Sequence, residues 1–160
     1  MRTEPGQFLY DLAELHHVGI VVEDIEAAAE WVERLYGVTV AVFDETTYAC
    51  RIEGVEHSTV QRIGLSVSGP PHIELLRAVP GSTVWTPKPG VHHLGFVVDD
   101  LAAASKELER RGAPLWMGGL RDGRAPAGTC YHRDPLGQTI ELLDRATRDG
   151  LERRLHARST

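Results

Sequence analysis

Two stretches of the chain begin as strands and then switch to helical spacing. Leu15-His16-His17-Val18-Gly19-Ile20-Val21-Val22 reads as a strand. Asp24 then caps a helix from Ile25 to Tyr36, in which Ile25, Ala28, Ala29, Val32 and Leu35 recur at helical spacing and which Gly37 stops. Val91-His92-His93-Leu94-Gly95-Phe96-Val97-Val98 repeats the strand almost letter for letter. It leads to a second helix capped by Asp100, running from Leu101 to Arg111 with Leu101, Ala104 and Leu108 on one face and Gly112 as its stop. Each helix has a single apolar face to bury.

The ends of the two copies match as well. His72-Ile73-Glu74-Leu75-Leu76 parallels Thr139-Ile140-Glu141-Leu142-Leu143. Between helix and terminal strand, residues 38–43 and 59–67 read as strands in the first copy, and 114–117 and 128–133 in the second. Turns at Ser68-Gly69-Pro70-Pro71 and Asp134-Pro135-Leu136-Gly137 precede the last strand of each. Each unit is therefore strand, helix, three strands, and the fold class is α+β with two tandem βαβββ modules. The predicted organisation is an extension over 1–14, module one over 15–78, a Pro/Gly-rich linker over 79–90, module two over 91–145 and a tail over 146–160. Residues 44–58 have no counterpart in copy two and read as an insertion or an extra hairpin around 46–52. Residues 148–157 read as a short surface helix, with Leu151 and Leu155 four apart among arginines.

Alternation along the strands singles out four residues. Val18, Ile20 and Val22 form an apolar row suited to the helix-packed side, which sends His17 to the opposite face. The same count sends His93 there, and Ile73 with Leu75 and Ile140 with Leu142 send Glu74 and Glu141 to join them. A carboxylate flanked by aliphatic residues in a strand is costly unless paired, hydrogen-bonded or metal-bound. Two imidazoles and two carboxylates on facing strands suit one divalent ion such as Zn, Ni, Co, Mn or Fe. His16 and His92 read as structural neighbours.

Composition narrows the field. A net charge of −6 and a pI near 5.7 argue against a nucleic-acid partner. Two cysteines in no ligand spacing imply neither a disulfide framework nor a zinc knuckle. With no apolar leader and no long apolar run, the sequence reads as a soluble cytoplasmic protein that acts on a small molecule, with no membrane partner.

At these residues the sequence resembles the vicinal oxygen chelate superfamily, which includes glyoxalase I, methylmalonyl-CoA epimerase, fosfomycin- and bleomycin-resistance proteins and extradiol dioxygenases. The likeness spans about Leu15 to Asp144 and is carried by the two His-His strands, by Gly90 to Leu101 and by Arg133 to Leu142. It implies that the two sheets curl into a cup around a metal held by His17, Glu74, His93 and Glu141. It further implies a divalent-metal-dependent isomerase or lyase that stabilises an enediolate or enolate of a small carbonyl or hydroxyacid compound, possibly a thioester, and that forms a homodimer. The quartet looks like bacterial glyoxalase I, whereas the double histidine after Gly90 and Ser82-Thr83-Val84-Trp85 look like methylmalonyl-CoA epimerase. Epimerases of the family use a glutamate on the third strand of module one as a base. Val60 to Leu65 offers none, so Glu141 or Glu74 is the expected base. The rival expectations are an Fe(II)-dependent dioxygenase and a metal-free protein that sequesters a drug or natural product.

Pairing Arg133 with Gln138 across the second turn turns Cys130 and His132 toward the metal. On that register His132 is expected to act as a catalytic proton relay, and Cys130 is expected to line the substrate pocket with Gln61.

Overall fold

The computed structural model describes residues 14–158. The first module comprises β1 (Leu15–Val22), α1 (Ile25–Tyr36), β2 (Val40–Val42), β3 (Thr46–Ile52), β4 (Val55–Gln61), β5 (Ile63–Ser66) and β6 (His72–Arg77). The second comprises β7 (His93–Val98), α2 (Leu101–Arg110), β8 (Leu115–Gly119), β9 (Thr129–Arg133) and β10 (Thr139–Asp144), and α3 (Arg145–Arg158) follows it. The strands form one sheet in the order β2-β5-β6-β1-β7-β10-β9-β8-β3-β4. All of the proposed N-terminal extension except Glu14 lies outside the described residues.

Both helices form where the apolar spacing and caps demand. Asp24 Oδ1 accepts a hydrogen bond from Ala27 N at 3.0 Å, and Asp100 Oδ1 accepts one from Ala103 N at 3.0 Å. Each such cap stabilises its helix by about 1 kcal/mol. Gly37 ends α1 in the left-handed region at φ 69°, where other residues are strained. α1 buries Ile25 and Val32 against Leu75, Ile20 and Val22, and α2 buries Leu101, Ala104 and Leu108 against Phe96, Val98 and Leu142. Each fully buried Ile or Leu contributes about 1.5–3 kcal/mol of transfer free energy before ordering costs. The helices thereby cover one face of the sheet, and the other face is left concave.

Module one is less self-contained than the repeat implies. The predicted strand over 59–67 breaks at Arg62 into the end of β4 and β5, and the predicted strand over 38–43 is reduced to Val40–Val42. The hairpin of β3 and β4 reaches across and pairs β3 with β8, Cys50 opposite Gly119 and Ile52 opposite Met117. The inserted residues thus extend the sheet of module two and curl the whole into a cup. Its floor is a buried cluster that includes Val21, Leu76, Val84, Trp85, Met117 and Tyr131.

The tail is not simply a surface helix. Ile63 lies opposite Leu76, and Leu65 opposite Glu74, so these two residues face the cup with Glu74. Leu155 is buried with Phe43 and Leu65, and Leu151 packs against the same cluster. α3 therefore runs from the end of β10 over the concave face of module one. No helix among the described residues is long and apolar enough to cross a membrane.

Candidate metal centre

The site stands where β1 and β7 run antiparallel at the middle of the sheet. Their register sets His17 opposite Gly95 and Gly19 opposite His93. β6 runs parallel to β1 with Glu74 opposite Gly19, and β10 parallel to β7 with Glu141 opposite Gly95. The glycines make room for the histidines. A Cβ built on Gly19 would overlap the His93 ring, and one on Gly95 the His17 ring. Neither glycine has a positive φ, so space rather than backbone freedom is what glycine supplies here.

His17, Glu74, His93 and Glu141 are all buried, and one ligand-type atom from each lies within 4.8 Å of the others. His17 Nε2 is 2.6 Å from Glu141 Oε2 and 3.0 Å from His93 Nε2, and His93 Nε2 is 2.8 Å from Glu141 Oε2. Glu74 Oε1 is looser, 3.3 Å from His93 Nε2 and 3.6 Å from His17 Nε2. Two ligand atoms about 2.1 Å from one ion and at right angles to each other lie about 3.0 Å apart. The donors are therefore spaced like the edges of a coordination shell. Two buried carboxylates side by side are both ionised only with positive charge between them, and the quartet fits a borderline divalent ion.

Electrostatics of the bare site agree with that reading. Burial pulls the pKa of His93 down, but the charges of Glu141 and Glu74 and their hydrogen bonds outweigh it and raise it to about 9. His17 is likewise raised: Glu74 and Glu141 overcome the cost of its burial. Burial pushes Glu141 up, and the two imidazoles more than reverse this, holding it well below the usual carboxylate range. The two carboxylates thus favour positive charge at the place where a divalent ion fits.

Behind each ligand stands its neighbour. His16 Nδ1 lies 2.8 Å from His17 Nδ1, and His92 Nδ1 lies 2.9 Å from His93 Nδ1. Burial first, and then the adjacent histidine, lowers both His16 and His92 to about 4, so both are neutral near pH 7. These residues touch the ligands rather than the cavity.

A cavity of about 190 Å³ opens over the two carboxylates. Gln61 lines it, together with Tyr131, Trp85 and, from α3, Thr147, Leu151 and Arg154. Glu74 and Glu141 are the only carboxylates lining it among the described residues. A larger groove of about 670 Å³ runs along β2 on the outer side, and its lining holds no histidine or carboxylate.

His132 and Cys130 do not face the cup. Arg133 pairs with Thr139, not Gln138, so His132 stands opposite Ile140, Tyr131 opposite Glu141 and Cys130 opposite Leu142. The extra residue is taken up in the turn: Asp134 Oδ1 accepts from Leu136 N at 2.8 Å and Gln138 N at 2.9 Å, and Asp134 N donates to Gln138 O. A one-residue slip moves every side chain to the other face. His132 therefore bonds Ser105 Oγ and Ala113 O, each at 2.8 Å, beneath α2, and burial lowers its pKa. Cys130 packs in the α2 core, where burial pushes its thiol up to about 12. Tyr131 takes the place on the cup. Its ring centroid is 4.9 Å from that of His93, and its hydroxyl accepts from Trp85 Nε1 at 3.2 Å. The signal for it was the Asp-Pro-Leu-Gly turn itself, since an aspartate that caps its own loop lengthens the loop.

Residues 16–131 match the model of the Glyoxalase/Bleomycin resistance protein/Dioxygenase superfamily, more than half of the chain. The chain belongs to this superfamily. Among solved structures, methylmalonyl-CoA epimerase from Mycobacterium tuberculosis is similar at 25% identity and TM-score 0.61, covering 92% of this chain and 97% of that one. A variant of the Streptomyces coelicolor methylmalonyl-CoA epimerase in complex with 2-nitronate-propionyl-CoA is similar at 20% identity and TM-score 0.54, covering 83% and 97%. Comparison with curated proteins finds no match. The superfamily cup of paired modules is the architecture described above.

Proposed function

We propose that the protein is a divalent-metal-dependent isomerase or lyase that moves a proton next to a carbonyl of a compact substrate. The observation that carries this reading is the pair of buried carboxylates, Glu74 and Glu141, which share the imidazoles of His17 and His93 and are the only carboxylates offered to the cavity among the described residues. An ion held by His17, Glu74, His93 and Glu141 supplies Lewis acidity to the oxygens of the substrate. Glu74, the more loosely held of the two, takes the proton from carbon, and Glu141 stays with the imidazoles. Tyr131 is kept as the neutral phenol by burial and by the two glutamates, and with Trp85 donating to its oxygen it offers its O–H to the oxyanion that forms. Gln61 borders the cavity, and a neutral amide there can bind a substrate without abstracting a proton. Ile63, Leu76, Trp85, Met117 and Leu151 keep the walls apolar and limit water.

The substrates to test first are methylmalonyl-CoA, which a similar structure names, and a small hemithioacetal, a hydroxy-carbonyl compound of the class the glyoxalase resemblance implies. The protein is reloaded separately with Zn, Ni, Co, Mn and Fe(II), and proton NMR follows exchange of the substrate's carbon-bound hydrogen in deuterium oxide. Exchange or isomer formation by wild type, lost in Glu74→Gln, is the expected result. No exchange with either substrate and any metal removes the proton-transfer reading. Oxygen consumption with the Fe(II) form then becomes the measurement that addresses dioxygenase chemistry.

A further inference from the structure

The two ligand histidines are related by the repeat, yet their surroundings end differently. His92 Nε2 lies 2.7 Å from Val84 O. A carbonyl oxygen can only accept, so the hydrogen of that bond belongs to His92 Nε2. His92 is 4% exposed, and among the described residues no carboxylate bonds to it. A second proton on its ring would be a buried, uncompensated charge. Its Nδ1 is therefore a lone pair, and the hydrogen in the 2.9 Å contact between the two Nδ1 atoms belongs to His93. That leaves His93 Nε2 as the atom presented to the centre. We propose that the inter-module linker fixes the tautomer of His93 through His92, making His92 a positioning residue of the metal centre; this rests on the metal-centre reading.

The linker is built to hold that carbonyl still. Ser82 Oγ accepts from both Val84 N and Trp85 N at 3.1 Å, and Val79 N donates to Trp85 O at 3.0 Å. Val84 and Trp85 are each 1% exposed. His92 N is itself tied to Gly19 O at 2.7 Å, which anchors the chain of bonds to the first module's ligand strand. In module one the corresponding chain has no end. His16 Nδ1 meets His17 Nδ1 at 2.8 Å, but His16 Nε2 is buried with no hydrogen-bond partner among the described residues. His16 stands 5.1 Å, ring to ring, from His72, whose Nδ1 is spent on Ser66 O at 2.7 Å. With nothing to accept from His16 Nε2, either tautomer of His16 leaves one unpaired buried nitrogen. The cheaper one places the lone pair there and the hydrogen on Nδ1, which sets Nε2–H on His17. As a neutral ring His93 is thus a pre-set ligand, whereas neutral His17 must change tautomer to bind through Nε2.

Two measurements test this on the full chain. In protein labelled with nitrogen-15 histidine, long-range proton–nitrogen NMR reads the tautomer of each ring in the zinc-loaded form and, above about pH 9 where His93 is neutral, in the metal-free form. His93 should carry Nδ1–H in both, and its hydrogen should move to Nε2 in His92→Phe. His93 with an unprotonated Nδ1 in wild type overturns the proposal, even if zinc does not bind. Zinc affinity is then measured by competition with a chromophoric chelator, with melting curves showing that each variant folds. His92→Phe should weaken binding by about 10–100-fold, the range for a lost partner of a metal-bound histidine. His92→Gln can accept from His93 and donate to Val84 O, and should restore most of the affinity. His16→Phe should change it by less than about threefold. Equal losses in His92→Phe and His16→Phe overturn the proposal. Failure of wild type to bind zinc counts against the metal-centre reading, and the tautomer measurement still decides the linker's role.

Discussion

Substituting Gly19 by alanine isolates the idea that the centre is assembled by crossing the two modules. The added methyl carbon would stand 2.6 Å from His93 Nδ1, with the Cε1 and Nε2 atoms of that ring closer still. Ordinary contact between such atoms is about 3.5–4.0 Å, so the ring must retreat by roughly 1.5 Å or the two strands must part. Metal–ligand distances tolerate about 0.2 Å. The strands are hydrogen-bonded in mid-sheet and resist parting, so the ring is what yields. It is tied behind to His92, and its retreat removes Nε2 from its place 2.8 Å from Glu141 Oε2 and 3.0 Å from His17 Nε2. Loss of one ligand in four should weaken metal binding at least about 100-fold, or about 2.7 kcal/mol. Gly95→Ala presses on His17 in the same way, its methyl carbon 2.8 Å from His17 Nδ1, but the His16 ring behind it has no further hydrogen-bond partner among the described residues and the loss should be smaller. Equilibrium dialysis against zinc, with circular dichroism to verify the fold, measures both. Full zinc affinity in folded Gly19→Ala refutes the reasoning, because it means the ring is not confined between the strands.

Tyr131→Phe should keep its zinc but lower turnover by about 10²–10³-fold, the usual cost of losing one donor to an oxyanion, as read by steady-state kinetics on whichever substrate exchanges. His132→Ala should leave metal content unchanged and destabilise the fold by about 1–3 kcal/mol, since it strands Ser105 Oγ and Ala113 O beneath α2, and urea unfolding checks this. pH should act on the metal-free protein through His93. Its pKa rises from 6.5 to about 9 on folding, so the stabilisation is full below about pH 6.5 and is lost as pH rises through about 9. Glu141 is depressed, so its contribution is present above its ordinary value of 4.5 and is lost in acid. The melting temperature of metal-free protein should therefore peak near pH 5–6.5 and fall by at least about 4 °C toward pH 9. The zinc-loaded protein should not follow that fall, because the ion replaces those protons.

Much of the centre was legible because it is written twice. Strand alternation in two matching copies located His17, Glu74, His93 and Glu141 on a common face, and α1 ran over the expected Ile25–Tyr36. What alternation could not supply was anything that depended on register between strands distant in sequence. The role of Gly19 and Gly95 needs the pairing of β1 with β7, and nothing local encodes it. The placing of Tyr131, His132 and Cys130 turned on one residue in the loop that Asp134 closes, and β9 carries no polar and apolar alternation to correct it. α3 looked like a surface helix because its sequence is rich in charge, and Leu151 and Leu155 meet their partners only after the cup is built. Likewise His92 differs from His16 only through Val84, a linker residue whose carbonyl has no signature in the sequence.

The central claim is that His17, Glu74, His93 and Glu141 together hold one divalent ion. Elemental analysis of purified wild type beside His93→Ala and Glu141→Ala, each reconstituted and desalted identically under reducing conditions, tests it most directly. About one metal per chain in wild type and little in either variant is the expected result. Wild type that retains no Zn, Ni, Co, Mn or Fe, or variants that retain as much as wild type, contradicts it.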